Sequence, residues 1–127
     1  AAYLDLDNFK DINDLHGHST GDSLLRIVAL TVKTHIRAID IFARVGGDEF
    51  VILFPETGSS SVRSVAEKLA NHLTVAMKAH KWKVTFSLGV VTFDHPPEGV
   101  DEILRLSDTV MYRAKREGKD RIRYEIC

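Results

Sequence analysis

Apolar positions along the chain fall into two periods. Alternating or continuous apolar runs of strand length occur at Ala2–Leu6, Ile41–Ala43, Phe50–Phe54, Lys83–Phe93 and Arg121–Glu125. They are rich in β-branched and aromatic residues and predict strands. Helical spacing appears in three places. Leu24, Ile27, Val28, Val32 and Ile36 predict a helix opened by Asp22 and ending near Ala38. Val62, Val65, Ala66, Leu69, Leu73 and Met77 predict a second, from about Ser61 to Ala79. Val100, Ile103, Leu104, Val110, Met111 and Ala114 predict a third, from about Val100 to Glu117, with Gly118 just past its end. Asn8 to Asp14, carrying Phe9 and Ile12, predicts a short helical turn. His16 to Gly21 reads as a polar loop, as do Glu56–Ser60 after Pro55 and Asp94–Gly99. Gly89 inside a strand points to a bulge or a close backbone contact.

The resulting order is strand, helix, strand, strand, helix, strand, helix, strand. A hairpin inserted between two crossover units predicts a mixed sheet with helices packed on it. Right-handed crossovers bring the first strand beside the hairpin.

Composition changes this picture little. The chain has 127 residues, 44% hydrophobic and 28% charged, as expected of one domain with a real core. A net charge of −1 gives no field toward nucleic acid or an acidic membrane. The single cysteine, Cys127, excludes an internal disulfide and fits a reducing compartment. No apolar stretch approaches the about 20 residues of a membrane span, and no signal peptide is visible. The expectation is therefore a cytoplasmic domain without direct membrane contact. It opens directly on a strand, as a fragment of a longer parent, soluble or membrane-anchored, does.

The candidate chemistry sits at Arg44-Val45-Gly46-Gly47-Asp48-Glu49-Phe50. Adjacent glycines tolerate the positive φ of tight hairpin turns and let a ligand approach the backbone. Taken alone, such a tip is a solvated turn. Asp5 and Asp7, two residues apart, share one strand face. If the first strand ends beside the hairpin, Asp5, Asp7, Asp48 and Glu49 meet. Clustered carboxylates repel unless cations occupy them, which points to magnesium shared with substrate phosphates. His16, His18, Trp82 and Phe86 carry no comparable signal, and Cys127 has no base beside it in sequence.

Several separated stretches carry a resemblance. They are Asp5-Leu6-Asp7-Asn8-Phe9-Lys10-Asp11-Ile12-Asn13-Asp14, Gly17-His18, Gly21-Asp22, Arg44 to Phe50, Val84 to Val90 and Tyr112-Arg113-Ala114-Lys115. Together they resemble the GGDEF domain of bacterial diguanylate cyclases over essentially residues 1–127. The usual upstream segment, with its Asp-x-Leu-Thr turn and helix, is lacking. The resemblance implies an α/β (α+β) fold with a ferredoxin-like βαββαβ core, similar to adenylyl cyclases and polymerase palms. It implies condensation of two GTP into cyclic di-GMP plus pyrophosphate across a homodimer, with two Mg²⁺ or Mn²⁺ per active site. A fused sensor domain in the parent protein is also implied.

By the same resemblance, Asp5, the Leu6 carbonyl and Asp48 match metal ligands, and Glu49 a carboxylate needed for turnover. Asp7 is either near the metals or structural. Asn13 and Asp22 match guanine readers. The amides of Asn8, Phe9 and Lys10, together with Gly46 and Gly47, are expected to face phosphates. Lys115 matches a triphosphate-binding lysine, and Lys119 stands where the family usually has Arg. Arg113, Arg116, Arg121 and Arg123 add to this basic cluster. Arg37-Ala38-Ile39-Asp40, five residues before Gly46, matches a product-binding inhibitory site, with both side chains expected exposed and Arg63 a guess for a second cation. The alternative function is a catalytically silent module that binds GTP or cyclic di-GMP.

Overall fold

Strand β1 (Ala2–Asp7) is buried along nearly its whole length, because neighbours cover both of its faces. A computed structural model describes residues 1–127. After β1 come helices α1 (Phe9–His16) and α2 (His18–His35), the hairpin β2 (Ile41–Arg44) and β3 (Glu49–Leu53), and helix α3 (Ser59–Ala79). Strand β4 (Thr85–Thr92), helix α4 (Val100–Arg116) and strand β5 (Arg121–Ile126) complete the chain. The sheet order is β2-β3-β1-β4-β5. All pairings are antiparallel except β4 with β5. The first four strands have the ferredoxin-like order, and α4–β5 adds a parallel crossover.

Strand alternation sorts the side chains between two layers. Ala2, Leu4 and Leu6 join Phe50, Ile52, Phe86, Leu88 and Val90 in one core with Leu24 and Val28 of α2 and Leu69 and Leu73 of α3. The opposite face carries Tyr3 and Val51, which pack on Met111 of α4. Asp5 and Asp7 follow Tyr3 on that second face, so the acidic end of β1 lies under α4.

Three sequence expectations change. Helix α2 starts at His18, not Asp22, and only Gly17 (φ 86) breaks the path from α1. The polar side chains that suggested a loop are absorbed by the helix: the Thr20 and Ser23 hydroxyls donate to the carbonyls of His16 and Ser19 at 3.2 and 3.1 Å. Helix α2 also stops earlier than Ala38. Ile36 is extended, and the Asp40 carboxylate takes the Arg37 N–H at 2.8 Å, closing a separate turn. Thirdly, neither Gly46 nor Gly47 has positive φ. The tip is held instead by Arg44, whose guanidinium donates to the carbonyl oxygens of Gly46 (3.0 Å) and Gly47 (2.7 Å).

Gly89 is the close contact that its place in a strand suggested, and the register runs through it without a bulge. A Cβ there would lie 2.1 Å from the backbone nitrogen of Met111 and 2.5 Å from the Ser107 oxygen. Helix α4 therefore packs directly on β4 backbone. Gly89→Ala should force α4 outward and destabilise the fold by roughly 3 kcal/mol, in the range of severe overpacking. Urea unfolding of the variant measures this, and an unchanged midpoint contradicts the close packing.

Candidate active site at the end of the first strand

Residues of the site come from four places: the end of β1, the hairpin tip, the last turns of α4, and the start of α1 with α2. Asp5 pairs in register with Glu49 across β1 and β3, which sets two carboxylates opposite each other on one face. Like charges so placed repel. The Leu6 N–H donates to the Asp48 carbonyl at 3.2 Å and so ties the tip to β1. The structure thus brings Asp5, Asp48 and Glu49 together, as expected.

Asp7 does not join them. Its carboxylate is fully buried and accepts from Thr85 Oγ1 (2.7 Å), Ser87 Oγ (2.8 Å), Lys115 Nζ (2.7 Å) and the Asp120 N–H (3.0 Å). Burial pushes its carboxyl up, but the Lys115 ammonium and the other donors outweigh that and hold it below the usual carboxylate range. These four donors support the structural reading of Asp7.

Lys115 extends beyond Asp7. Its ammonium also donates to the Leu6 carbonyl at 3.2 Å and stands 3.4 Å from Asp5 Oδ1. That oxygen is buried and has no hydrogen-bond partner. Burial pushes the Asp5 carboxyl up to about 7; Lys115 works against this, while Asp48 and Glu49 add to it. A cation binding here would find a carboxylate oxygen with no hydrogen bond of its own, a carbonyl already turned toward positive charge, and a second carboxylate on Asp48. No three Asp, Glu, His or Cys side chains converge on one point. Two carboxylates and a carbonyl are nevertheless the hard-oxygen set that suits Mg²⁺, which keeps waters and substrate phosphates as its other ligands.

Around this centre, Gly47 faces open space, and a Cβ on it would touch nothing within 4 Å. Asn8 is left-handed (φ 65) at the start of α1, and no side chain caps that helix. The first N–H groups of α1, at Asn8, Phe9 and Lys10, are free to donate. Asn13 packs against Gly21, where a Cβ would fall 1.9 Å from Asn13 Oδ1. This sets Asn13 against the residue that precedes Asp22 in α2. Asp22 lines a cavity of about 400 Å³ with Leu25, Arg26, Phe42 and Arg44.

The basic cluster is smaller than its sequence density suggests. Arg113 is paired with Glu125, Arg123 with Glu117, and Arg121 donates to the Lys119 carbonyl. Lys119 and Arg116 make no ion pair. Arg37 and Asp40 form a closed pair at 2.7 Å, and the Asp40 side chain is only 2% exposed, against the expectation that both are exposed. Arg37 also holds the Pro55 carbonyl and Thr57 Oγ1. Arg63 does not line the Arg37 cavity; its guanidinium lies over the Tyr124 ring at 4.1 Å.

Two residues escaped the sequence reading. Tyr3 donates to Glu49 Oε2 at 2.8 Å, and Arg44 fastens the hairpin tip. The same alternation that aligned Asp5 with Asp7 places Tyr3 on their face. No local signal pointed to the Arg44 contacts.

Residues 1–121 match the sequence profile of the family described as "Diguanylate cyclase, GGDEF domain". The chain belongs to the GGDEF family. It is 37% identical over 124 residues to the diguanylate cyclase DgcP of Pseudomonas aeruginosa, covering 95% of this chain. It is 39% identical over 120 residues to the cyclic di-GMP phosphodiesterase PdeR of Escherichia coli, covering 93% of this chain. The chain spans 18% of the length of each of these relatives. Its fold superposes with a TM-score of 0.80 on the GGDEF domain of DgcB from Caulobacter crescentus in complex with c-di-GMP. That match is 28% identical and covers 97% of this chain and 75% of the other. No helix is long and apolar enough to cross a membrane.

The closed Arg37–Asp40 pair of this GGDEF chain has a pH signature. Burial raises the Asp40 carboxyl, but hydrogen bonds from Arg37 outweigh this and leave it below its ordinary value. A depressed carboxyl contributes stability above the unfolded value of about 3.9 and loses it as pH falls through the folded value. Asp40→Asn should melt below wild type at neutral pH, with the gap closing below about pH 3. A gap independent of pH in thermal melts contradicts the pairing.

Proposed function

We propose that this domain is a diguanylate cyclase that condenses two GTP into cyclic di-GMP and two pyrophosphates. The observation that carries the reading is the buried Asp5 oxygen, which makes no hydrogen bond and has only a 3.4 Å ion pair with Lys115, beside an intact acidic hairpin. The Asp5 carboxylate, Leu6 carbonyl and Asp48 carboxylate would hold Mg²⁺ or Mn²⁺, two ions per active site being shared with the triphosphate. When bound, such ions acidify the attacking hydroxyl and offset the phosphate charge.

The chain's own residues supply the rest. Gly47 leaves room for phosphates at the tip, where Gly46 is already covered by the Glu49 side chain, and the free amides of Asn8, Phe9 and Lys10 donate to them. Lys115 and Lys119 hold the triphosphate, and Lys115 releases the Leu6 carbonyl in doing so. A lysine at 119 provides a point charge without the bidentate fork of arginine. Asn13 and Asp22 read the guanine edge. Glu49 takes the 3′-hydroxyl proton. The 3′-oxygen then bonds to the α-phosphorus of the GTP on a facing protomer, and the bond to the β-phosphate breaks. The reading includes a homodimer, a fused sensor in the parent protein and a cytoplasmic setting. It also includes product inhibition at Arg37 and Asp40, where cyclic di-GMP must compete with the existing ion pair.

A second reading is a silent module that binds GTP or cyclic di-GMP. It is favoured by Lys115, which already satisfies the Leu6 carbonyl, and by the likeness to a domain within a phosphodiesterase.

Incubation with GTP and Mg²⁺, followed by chromatography, separates the two. The cyclase reading expects cyclic di-GMP, rising with protein concentration, and its loss in Asp48→Ala with the fold retained. Unchanged product in Asp48→Ala sinks the metal-site assignment, and bound but unconverted GTP in wild type favours the silent module.

Guanine selectivity gives an independent check. A bound adenine would cover the exposed Asp22 carboxylate and leave it facing a lone pair, and a polar group buried without a partner costs about 1–3 kcal/mol. ATP should therefore bind roughly ten-fold worse than GTP or weaker. Gly21→Ala displaces Asn13 and should narrow that gap in calorimetric titrations. Equal affinities in wild type contradict the assignment of Asn13 and Asp22.

A further inference from the structure

Tyr3 is 7% exposed and packs with Val51 and Met111, with Leu104 beside them. Its hydroxyl is the one polar atom of that apolar group, and a buried tyrosine hydroxyl takes a partner wherever one is in reach. The partner here is Oε2 of Glu49, two residues along the neighbouring strand from Val51, which faces Tyr3 in register. The contact joins β1 to β3 on the face covered by α4.

Without it, little would hold Glu49 in place. Asp5 stands directly opposite in register, and like charges there drive the two carboxylates apart. Asp108 of α4 adds negative charge within reach of both Tyr3 and Glu49. Glutamate is also long enough to swing into solvent. Two features oppose this. The Tyr3 hydroxyl draws Oε2 inward, and Gly46 leaves space for it: a Cβ at Gly46 would lie 2.9 Å from that same oxygen. Oε2 is thus pinned between a donor and a bare α-carbon, and Oε1 remains for chemistry.

We propose that Tyr3 is a positioning residue that fixes the Glu49 carboxylate beside Asp5, with Gly46 as the second wall of the same seat. The inference rests on the cyclase reading for its effect on rate, but not for its effect on geometry.

Tyr3→Phe is the test, because it keeps the ring in its apolar group and removes only the donor. Two measurements are made on wild type and variant. Crystal structures report the Glu49 rotamer, and steady-state kinetics with GTP and Mg²⁺ separate kcat from KM. The expected result is Glu49 spread over more than one rotamer, with kcat lowered roughly ten-fold or more and KM unchanged, the scale of a lost hydrogen bond to a charged group. In a Glu49→Gln background, Tyr3→Phe should change the rate little further. A Glu49 rotamer unchanged in Tyr3→Phe overturns the proposal, whether the rate holds or falls together with stability and KM. A disordered Glu49 with unchanged kcat overturns it too. If wild type converts no GTP, the cyclase reading fails, and the rotamer comparison alone decides the positioning role.

Discussion

The Lys115 ammonium is what allows a fully covered strand to end in two carboxylates. Asp7 has no exposed surface, and a charge so placed is tolerated only when paired and hydrogen-bonded. Lys115 supplies the charge, and Thr85, Ser87 and Asp120 complete the shell. The pair joins groups 108 residues apart, so it also fixes where the end of α4 meets the end of β1. That placement needs α4 to lie deep on the sheet, which the missing Cβ of Gly89 permits. The dependence therefore runs from a glycine in β4, through the depth of α4, to the reach of one lysine and the geometry of the strand end.

The same lysine leaves Asp5 only partly compensated. It sits 3.4 Å from Asp5 Oδ1, while Asp48 and Glu49 push in the opposite sense. A carboxyl raised to about 7 contributes stability below its unfolded value and loses it as pH rises toward 7. At neutral pH Asp5 is therefore only about half ionised, with Lys115 its one compensating charge. Asp7, two residues on, is the opposite case, with every donor in place. Two carboxylates on one strand face therefore divide into a fully paired anchor and a partly compensated group, and the shell of donors around each makes the difference.

Much of this was legible in the chain. Period-two alternation set Asp5 and Asp7 on one face, and the strand order brought that face to the hairpin. Other features depended on contacts that alternation does not encode. Asp40 looked exposed because it lies on the turn between a helix end and a strand start, yet Arg37 folds over it. Arg113 and Arg123 looked available for phosphates, but β5 places Glu125 beside the first, and Glu117 at the end of α4 takes the second. Asp22 looked like a helix start because the residues before it are polar, yet the hydroxyls of Thr20 and Ser23 on either side of it bond back to carbonyls one turn earlier. In each case a side chain found a partner that local composition does not reveal.

The glycines make the same point more sharply, because their conformation and their location separate. Gly46 and Gly47 suggested a turn that needs positive φ, and the structure uses none. Their value is spatial: Gly46 makes room for Glu49 Oε2, and Gly47 faces empty space beside the acidic tip. Gly21 and Gly89 lie inside regular elements, where glycine costs stability relative to alanine, and each is filled by a neighbour, Asn13 in one case and the α4 backbone in the other. Three of the four are thus occupied by the protein itself. Gly47 is the exception, and a bare backbone kept open beside Asp48 and Glu49 is what a site needs if the group filling it is to come from outside the chain.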